Sequence, residues 1–477
     1  MKKVIALVGL SLLPFSYAAA EGYQANAQST KQAGMGHVGV AMKLGAESMH
    51  FNPAGLVFME KPVQLSAGVS GVFSKGKFTK GDYTARPDNT PSTPLYIYAG
   101  FKIYDNLAAG VSLTTPFGSG MNWGKDWQGA HLVQDISLQA FNLQPTVSWR
   151  IMDRLSVGAG LMMEFGNIEL SRALIGPGEL GAMAGKLLAM KPELAALAAP
   201  LLGEIAKFDD ISAASVNLKG DAGIRLGFNV GAMFDINEQW TVGLSYRSKV
   251  KARVKEGDVQ LTYANRESMD QILGTVNKFL PLIGVQNPIA LPEFNNATFS
   301  SELPLPDNWN VGVTYRPTDR WVVSGEVQFV GWGAYDKLDV HFYPTEELGV
   351  YDISAPKRYK NSRIYRLGTQ FAATNRLDVR LGAYYDESPV EDNYLNPETP
   401  SMDKLGITAG LSFRPLERLS VDFAFSYVTG FGRDGSYTDE YMLLKSLPVP
   451  ESEKQRTFGG HYNIYALMPA LGLSYSF

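Results

Sequence analysis

Across 477 residues, 43 Lys and Arg stand against 47 Asp and Glu, and the net charge of −4 leaves no cationic excess of the kind that nucleic-acid binding requires. Cysteine is absent, which excludes a disulfide framework. After the first segment no apolar run is long enough for a transmembrane helix, so any membrane crossing must be made by strands closed into a ring, because lipid offers no partner to an open sheet edge.

Met1-Lys2-Lys3 is a short basic segment, Val4 to Phe15 is an apolar core too short to span a bilayer, and Ala18-Ala19-Ala20 supplies small residues for cleavage. Residues 1–20 read as a cleaved signal, with the mature chain starting near Glu21. Residues 21–61 show little alternation and many Gly and Ala, and are long enough to fold inside a barrel as a hatch; residues 62–477 form the barrel. Gly34-Met35-Gly36-His37-Val38-Gly39 spells a dinucleotide fingerprint but has neither a preceding buried strand nor a βαβ unit. Asn52-Pro53-Ala54 reads as a rigid turn whose amide can bond neighbouring backbone and hold a plug in place.

From there the chain alternates with period two. Leu155, Val157, Ala159, Leu161, Met163 and Phe165 share one parity; so do Trp240, Val242, Leu244 and Tyr246, then Leu377, Val379, Leu381, Ala383 and Tyr385, then Leu419, Val421, Phe423, Phe425 and Tyr427. Short polar turns such as Asp105-Asn106, Thr374-Asn375 and Pro415-Leu416-Glu417 join some pairs, whereas long connections at Thr79 to Pro94, Ser119 to Ala130, Ala173 to Ser215, Thr262 to Ala297, Tyr343 to Arg358, Glu391 to Ser401 and Gly432 to Gly459 join the others. That asymmetry predicts an all-β fold, a transmembrane antiparallel β-barrel of about fourteen strands. Within Ala173 to Ser215 the apolar residues recur near helical spacing, with Pro192 suited to the first turn of a second helix, which predicts a helical extracellular loop. Such a greasy hairpin either offers a hydrophobic surface to a ligand or caps the barrel mouth. The last strand, Leu471 to Phe477, alternates and ends on an aromatic carboxyl terminus; Tyr475 and Phe477 are the candidate assembly signal.

Ser48-Met49-His50-Phe51-Asn52-Pro53-Ala54-Gly55-Leu56 resembles the Asn-Pro-Ala segment of the FadL/TodX family of outer-membrane transporters for hydrophobic compounds. Gly22-Tyr23-Gln24 is similar to that family's mature amino terminus, and Pro116-Phe117-Gly118 to the segment after its third strand. Leu244 to Lys251 looks like a strand of the fatty-acid member, as do Trp332 to Leu338 and Tyr385 to Val390, so the resemblance runs in order from Gly22 to Phe477. It implies a fourteen-stranded barrel plugged by an amino-terminal hatch, with a hydrophobic ligand captured outside, passed to an inner pocket and released sideways through the wall.

The resemblance places Arg172 and Lys360 on the two cations that hold a carboxylate ligand. If Val157, Leu161 and Phe165 face lipid, then Ile168, Leu170 and Arg172 face the lumen and make a pocket for an acyl chain with a charged head. Tyr365, Leu367 and Phe371 facing out would turn Lys360, Arg366, Gly368 and Gln370 inward. Arg247, Lys249, Lys251 and Arg253 share one inward parity and compete as the anchor, and any of these cations could simply pair with Glu47 or Glu164. At Pro116-Phe117-Gly118 a residue without an N–H and one without a side chain should interrupt strand pairing, where the resemblance puts the lateral opening.

His37, His50, His131, His341 and His461 form no metal-spaced pair, and no nucleophile elbow is present, so the chain reads as a channel rather than an enzyme, with no cofactor and no metal. The expected function is uptake of long-chain fatty acids or similar hydrophobic molecules into a Gram-negative cell, by a monomer inserted by the barrel-assembly machinery among outer-membrane lipid and lipopolysaccharide. Neutral aromatic or alkane hydrocarbons, and a structural or adhesive barrel, are the alternatives.

Overall fold

The computed structural model describes residues 22–477 apart from 191, 193, 194, 280, 282–292, 295, 442–449, 451 and 453. The signal assignment at residues 1–20 lies outside the described residues. Fourteen antiparallel wall strands close into a ring. In chain order they are β1 (Val63–Ser70, continued by Phe73–Lys80), β2 (Leu95–Tyr104), β3 (Leu107–Asn122), β4 (Asp135–Met152), β5 (Leu155–Ile175), β6 (Ala214–Asp235) and β7 (Trp240–Arg247 with Val250–Tyr263). The ring continues through β8 (Thr298–Leu305 with Asn308–Thr318), β9 (Trp321–Val330 with Lys337–Tyr343), β10 (Ser362–Thr374), β11 (Leu377–Asp386), β12 (Lys404–Leu416), β13 (Leu419–Gly430 with Arg433–Glu440) and β14 (Gln455–Ser476). Each strand pairs with its chain neighbour, and β14 closes on β1, with Leu65 opposite Tyr475 and Val69 opposite Leu471.

Alternation drives this closure. Leu161, Leu244, Val311, Leu381, Phe423, Leu471 and Leu473 stand on the outer face, each about half exposed, as a lipid-facing row requires. The inner residues split by height. Towards the short-turn end they are buried and polar, among them Ser112, Gln144, Ser148, Asn229, Thr408 and Asp422; towards the long-loop end they are apolar, among them Leu138, Leu170, Val216, Leu218, Leu303 and Phe342.

Among the described residues the long loops carry three helices of eight residues or more: α3 (Glu179–Met190), α4 (Ala195–Ile205) and α5 (Arg266–Phe279), numbered after two single-turn helices in the hatch, α1 (Thr30–Ala33) and α2 (Ser48–Phe51). Within the described residues the second helix of the Ala173–Ser215 loop runs Ala195–Ile205 and admits Pro200 in its interior. α5 lies in a connection where no helix was expected, and the segment Gly432 to Gly459 is partly strand, because β13 and β14 run on as a hairpin above the wall. Trp332 to Leu338 is not one strand: Trp332–Ala334 is a 3-10 turn, and the chain resumes β9 only at Lys337.

At the carboxyl end Phe477 N donates to Val63 O at 2.9 Å, and the rings of Tyr475 and Phe477 meet edge to face at 4.7 Å on the outer surface. Deleting Phe477 removes the last closing bond between β14 and β1 and half of this aromatic pair. The expected result is less heat-modifiable, folded barrel in the membrane; undiminished folded protein on a gel run without boiling would count against an assembly role.

Candidate ligand pocket and wall opening

The hatch seats on the polar lower lumen through charges and amides. Glu326 of β9 accepts from Gly39 N at 2.8 Å and Val40 N at 3.0 Å and pairs with Arg366 of β10 at 2.9 Å, so one carboxylate ties hatch backbone to two strands. Lys31 reaches Ser474 Oγ of β14 at 2.8 Å and Asp422 of β13 at 3.8 Å, and Lys43 meets Asp235 of β6 at 2.7 Å. Asn52 is the central fastener: its Nδ2 donates to Val40 O at 2.7 Å, Ala232 O at 3.1 Å and Leu244 O at 3.3 Å, while its Oδ1 accepts from Ala54 N at 3.1 Å and caps the 3-10 helix opened by Pro53. Ser148 of β4 donates to Ala54 O at 3.1 Å. The wall makes room with glycine: a Cβ on Gly231 would sit 2.0 Å from Asn52 Oδ1, and one on Gly158 2.4 Å from the carbonyl carbon of Pro53. Burial and the positive charge of Arg366 lower the pKa of His37 to about 3, and burial and Arg247 hold His50 well below its ordinary value, so both hatch histidines are neutral.

The wall is interrupted at β3. Its pairing with β2 ends at Tyr96–Thr114, and its register with β4 jumps between Thr114 and Phe117. Beyond that point the hatch takes the place of β2: Gln24 bridges Phe117, Ala25 N donates to Pro116 O at 2.9 Å, and Gly118 N donates to Tyr23 O at 2.8 Å. Pro116, with no N–H to offer, leaves that edge free for the amino-terminal strand to dock by main-chain bonds. Regular pairing of β2 with β3 is therefore interrupted here, and residues 23–25 occupy the edge that β2 leaves.

Above the hatch the lumen is apolar, and its far end carries cations. Arg172 is buried on the lumenal face, and its guanidinium pairs with Asp439 of the β13–β14 hairpin at 2.7 Å. Arg456, opposite Asp439 in that hairpin, lies 3.6 Å from the same carboxylate and 2.8 Å from Glu179 at the start of α3. Among the described residues Arg456 Nε has no hydrogen-bond partner, so the pair keeps donor capacity for a ligand oxygen. A cavity of about 280 Å³ adjoins it, lined by Arg172, Asp439, Ile353, Pro356, Tyr394 and Tyr437 among others. Burial, with Arg456, Arg172 and Lys80, holds His131 nearby well below the ordinary histidine pKa, so it adds no charge.

Lys360 does not join Arg172. It precedes β10, its side chain is 71 % exposed, and it pairs with Glu391 at 2.5 Å on the surface, because the inward parity of β10 begins only at Ser362. The row from Arg247 to Arg253 also divides. Arg247 is buried and reaches His50 O at 2.9 Å, but the strand breaks at Ser248-Lys249 and reverses parity, so Lys249, Lys251 and Arg253 face outward and Val250 and Val254 face in. Ile168 and Leu170 face the lumen as expected, Leu170 fully buried and Ile168 packed against the apolar core. Arg456 and Asp439 escaped the sequence reading because the loop that carries them shows no strand alternation. Only the cross-strand register of the hairpin brings them over β5.

The outer membrane protein transport protein family (OMPP1/FadL/TodX) matches residues 12–477. The chain belongs to this family. Among curated relatives, the long-chain fatty acid transport protein of Escherichia coli (strain K12) is 22 % identical over 419 residues, covering 86 % of this chain and 88 % of that one. A 47 kDa outer membrane protein of Pasteurella multocida is 24 % identical over 421 residues, covering 87 % and 88 %. Among solved structures, a Pseudomonas aeruginosa FadL homologue superposes with a TM-score of 0.73 at 18 % identity, covering 96 % of this chain and all of that one, and the Pseudomonas putida toluene transporter TodX with 0.61 at 15 %, covering 94 % and 97 %. The family member is thus an outer-membrane transport protein of a Gram-negative bacterium, built as a β-barrel.

Proposed function

We propose that the cargo is a long-chain fatty acid or a similar single-chain acid, captured at the long-loop end, held with its carboxylate near Arg172 and Arg456 and its chain in the apolar upper lumen, and released sideways at Pro116-Phe117-Gly118. The Arg172–Asp439–Arg456 cluster carries the reading: two buried guanidiniums, balanced by Asp439 and Glu179 and with the Nε of Arg456 still unbonded among the described residues, stand beside a cavity of mixed polar and apolar lining above the apolar lumen, which suits an anionic head with a hydrocarbon tail. A water-filled pore would not serve such a ligand, since each methylene moved from apolar surroundings to water costs about 0.8 kcal/mol. A neutral aromatic cargo is the second reading, favoured by the cluster of Phe78, Trp123, Trp127 and Phe458, in which Trp123 and Trp127 stack at 4.6 Å and Phe78 and Phe458 at 5.0 Å.

The same proposal has the barrel working as a monomer, its lipid-facing rows contacting membrane lipid and lipopolysaccharide, and entering the membrane through the barrel-assembly machinery. Its relatives are transport channels, and no catalytic step is assigned. Mass spectrometry of lipid extracted from the purified protein tests the cargo. Co-purifying long-chain acids are expected; exclusive recovery of neutral aromatics or alkanes would move the assignment to the second reading.

A further inference from the structure

The seam between β6 and β7 is open over a short stretch, on the same rung of the ring as the break in β3. Pairing runs from Phe117 to Ala140, from Ala140 to Gly166, from Gly166 to Ala222 and from Ala222 to Val254. Below Ala222–Val254 the next registered pair of β6 and β7 is Asn229–Arg247, and among the described residues only Ser248 ties the strands in between, donating to Phe228 O at 2.8 Å and accepting from Phe228 N at 2.9 Å.

Parity explains the gap. β6 exchanges its faces at a bulge beside Gly223, since Gly220 and Leu218 face in above it while Ile224 and Leu226 face out below it. β7 exchanges its faces at Ser248-Lys249 instead. Between these two levels the strands present opposite faces to each other, Leu226 outward at 66 % exposure and Val250 inward at 4 %, and a regular ladder cannot form. An unpaired edge facing lipid is costly enough that barrels normally close it.

Behind the gap lies an apolar cleft lined by Leu138, Ile168, Val254, Leu303 and Leu305, with Glu164 at its wall. Glu164 is 2 % exposed, and among the described residues neither of its carboxyl oxygens has a hydrogen-bond partner. A buried polar group left so is destabilising unless something else bonds to it. On the outer side the lips are amphipathic, Ile224 and Leu226 on β6, and on β7 Lys249, Lys251 and Arg253, the last two sharing Glu302 of β8 at 3.8 and 3.4 Å so that the three cations exceed the one carboxylate. We propose that this seam is a second lateral slot, through which the alkyl chain of a single-chain acid lying in the outer leaflet enters the lumen, its carboxylate at the cationic lip of β7. The proposal rests on the reading of the cargo as a single-chain acid. The cleft holds about 30 Å³ in this closed form, so passage requires β6 and β7 to part around Val250.

The chain has no cysteine, and a Cβ on Gly227 would lie 2.6 Å from Val250 Cγ2, so Gly227→Cys with Val250→Cys can be oxidised to staple the seam and reopened with reductant. The probe is a long-chain fatty acid carrying a diazirine on its chain, incorporated into lipopolysaccharide–phospholipid vesicles that hold the full-length barrel. In wild type, which needs no substitution to fold, photolabel is expected on the peptides containing Ile224 to Gly227 and Val250 to Arg253. Oxidising the double variant should lower that labelling and the entry of probe into the lumen by about tenfold, with recovery on reduction. Label found only around Arg172 and Phe117, indifferent to the staple, would overturn the slot and leave the cargo reading standing. No lumenal label at all from the acid would overturn the cargo reading and the slot with it.

Discussion

Gly118→Arg is expected to abolish uptake while the folded barrel reaches the membrane in normal amount. Gly118 holds the amino-terminal stopper through its N–H to Tyr23 O, a bond that the substitution keeps, and a Cβ there would meet only Leu138 O at 3.4 Å. The root of the new side chain therefore fits without breaking the strand, and the long cation projects from the sheet face beside the stopper. Nothing in the hatch charges or in the Arg172 cluster is touched, so ligand capture should persist. Fatty-acid uptake is expected to fall by about tenfold or more, the effect of placing a bulky cation in the apolar path. Measuring uptake in cells alongside the heat-modifiable barrel decides the matter. Uptake at the wild-type rate with normal assembly would mean that the ligand leaves elsewhere.

Removing the cation pair should separate the two cargo readings. With Arg172→Ala and Arg456→Ala together, a ligand carboxylate entering the cavity meets Asp439 without a counter-charge, and fatty-acid binding is expected to weaken by about 2 to 4 kcal/mol. A neutral hydrocarbon of equal length should lose little, because its burial depends on the apolar lumen that both substitutions leave intact. Lys360→Ala, at an exposed surface pair with Glu391, should change neither, as exposed ion pairs contribute little. Titration calorimetry with both ligands provides the comparison. Equal losses for acid and hydrocarbon would exclude Arg172 and Arg456 as the head-group anchor.

The hatch offers a smaller but sharper test of how the plug is held. Asn52→Ala deletes three donated bonds and the cap on the following 3-10 helix, leaving buried carbonyls of Val40, Ala232 and Leu244 with one partner fewer. The hatch should become more susceptible to added protease while the barrel stays heat-modifiable. An unchanged digestion pattern would show that Glu326, Lys31 and Lys43 suffice to seat it.

Much of this was legible in one dimension because the bilayer imposes a period. Lipid outside and a packed lumen inside leave each wall residue only two environments, so the rows ending at Phe165, Tyr246, Tyr385, Tyr427 and Phe477 announce strands, and the contrast of short turns with long loops announces their direction. Proline and glycine are equally local signals: Pro116 marks the end of regular pairing in β3 because it lacks an N–H wherever it is placed, and Asn52-Pro53 marks a turn for the same kind of reason. The sequence alone therefore determined the barrel, the plug and the position of the break.

What it could not determine is any partnership that depends on register between distant strands. Parity carried forward along β7 puts Lys251 and Arg253 inside, yet the break at Ser248-Lys249 turns them out. Carried backward along β10, parity puts Lys360 inside, yet the strand starts after it. Arg456 comes to Arg172 only because a hairpin above the wall aligns Asp439 with it and leans over β5. The open β6–β7 seam exists only because two strands change face at different heights. Alternation is a property of one strand, but phase is a property of two, and only closure of the ring sets the phase.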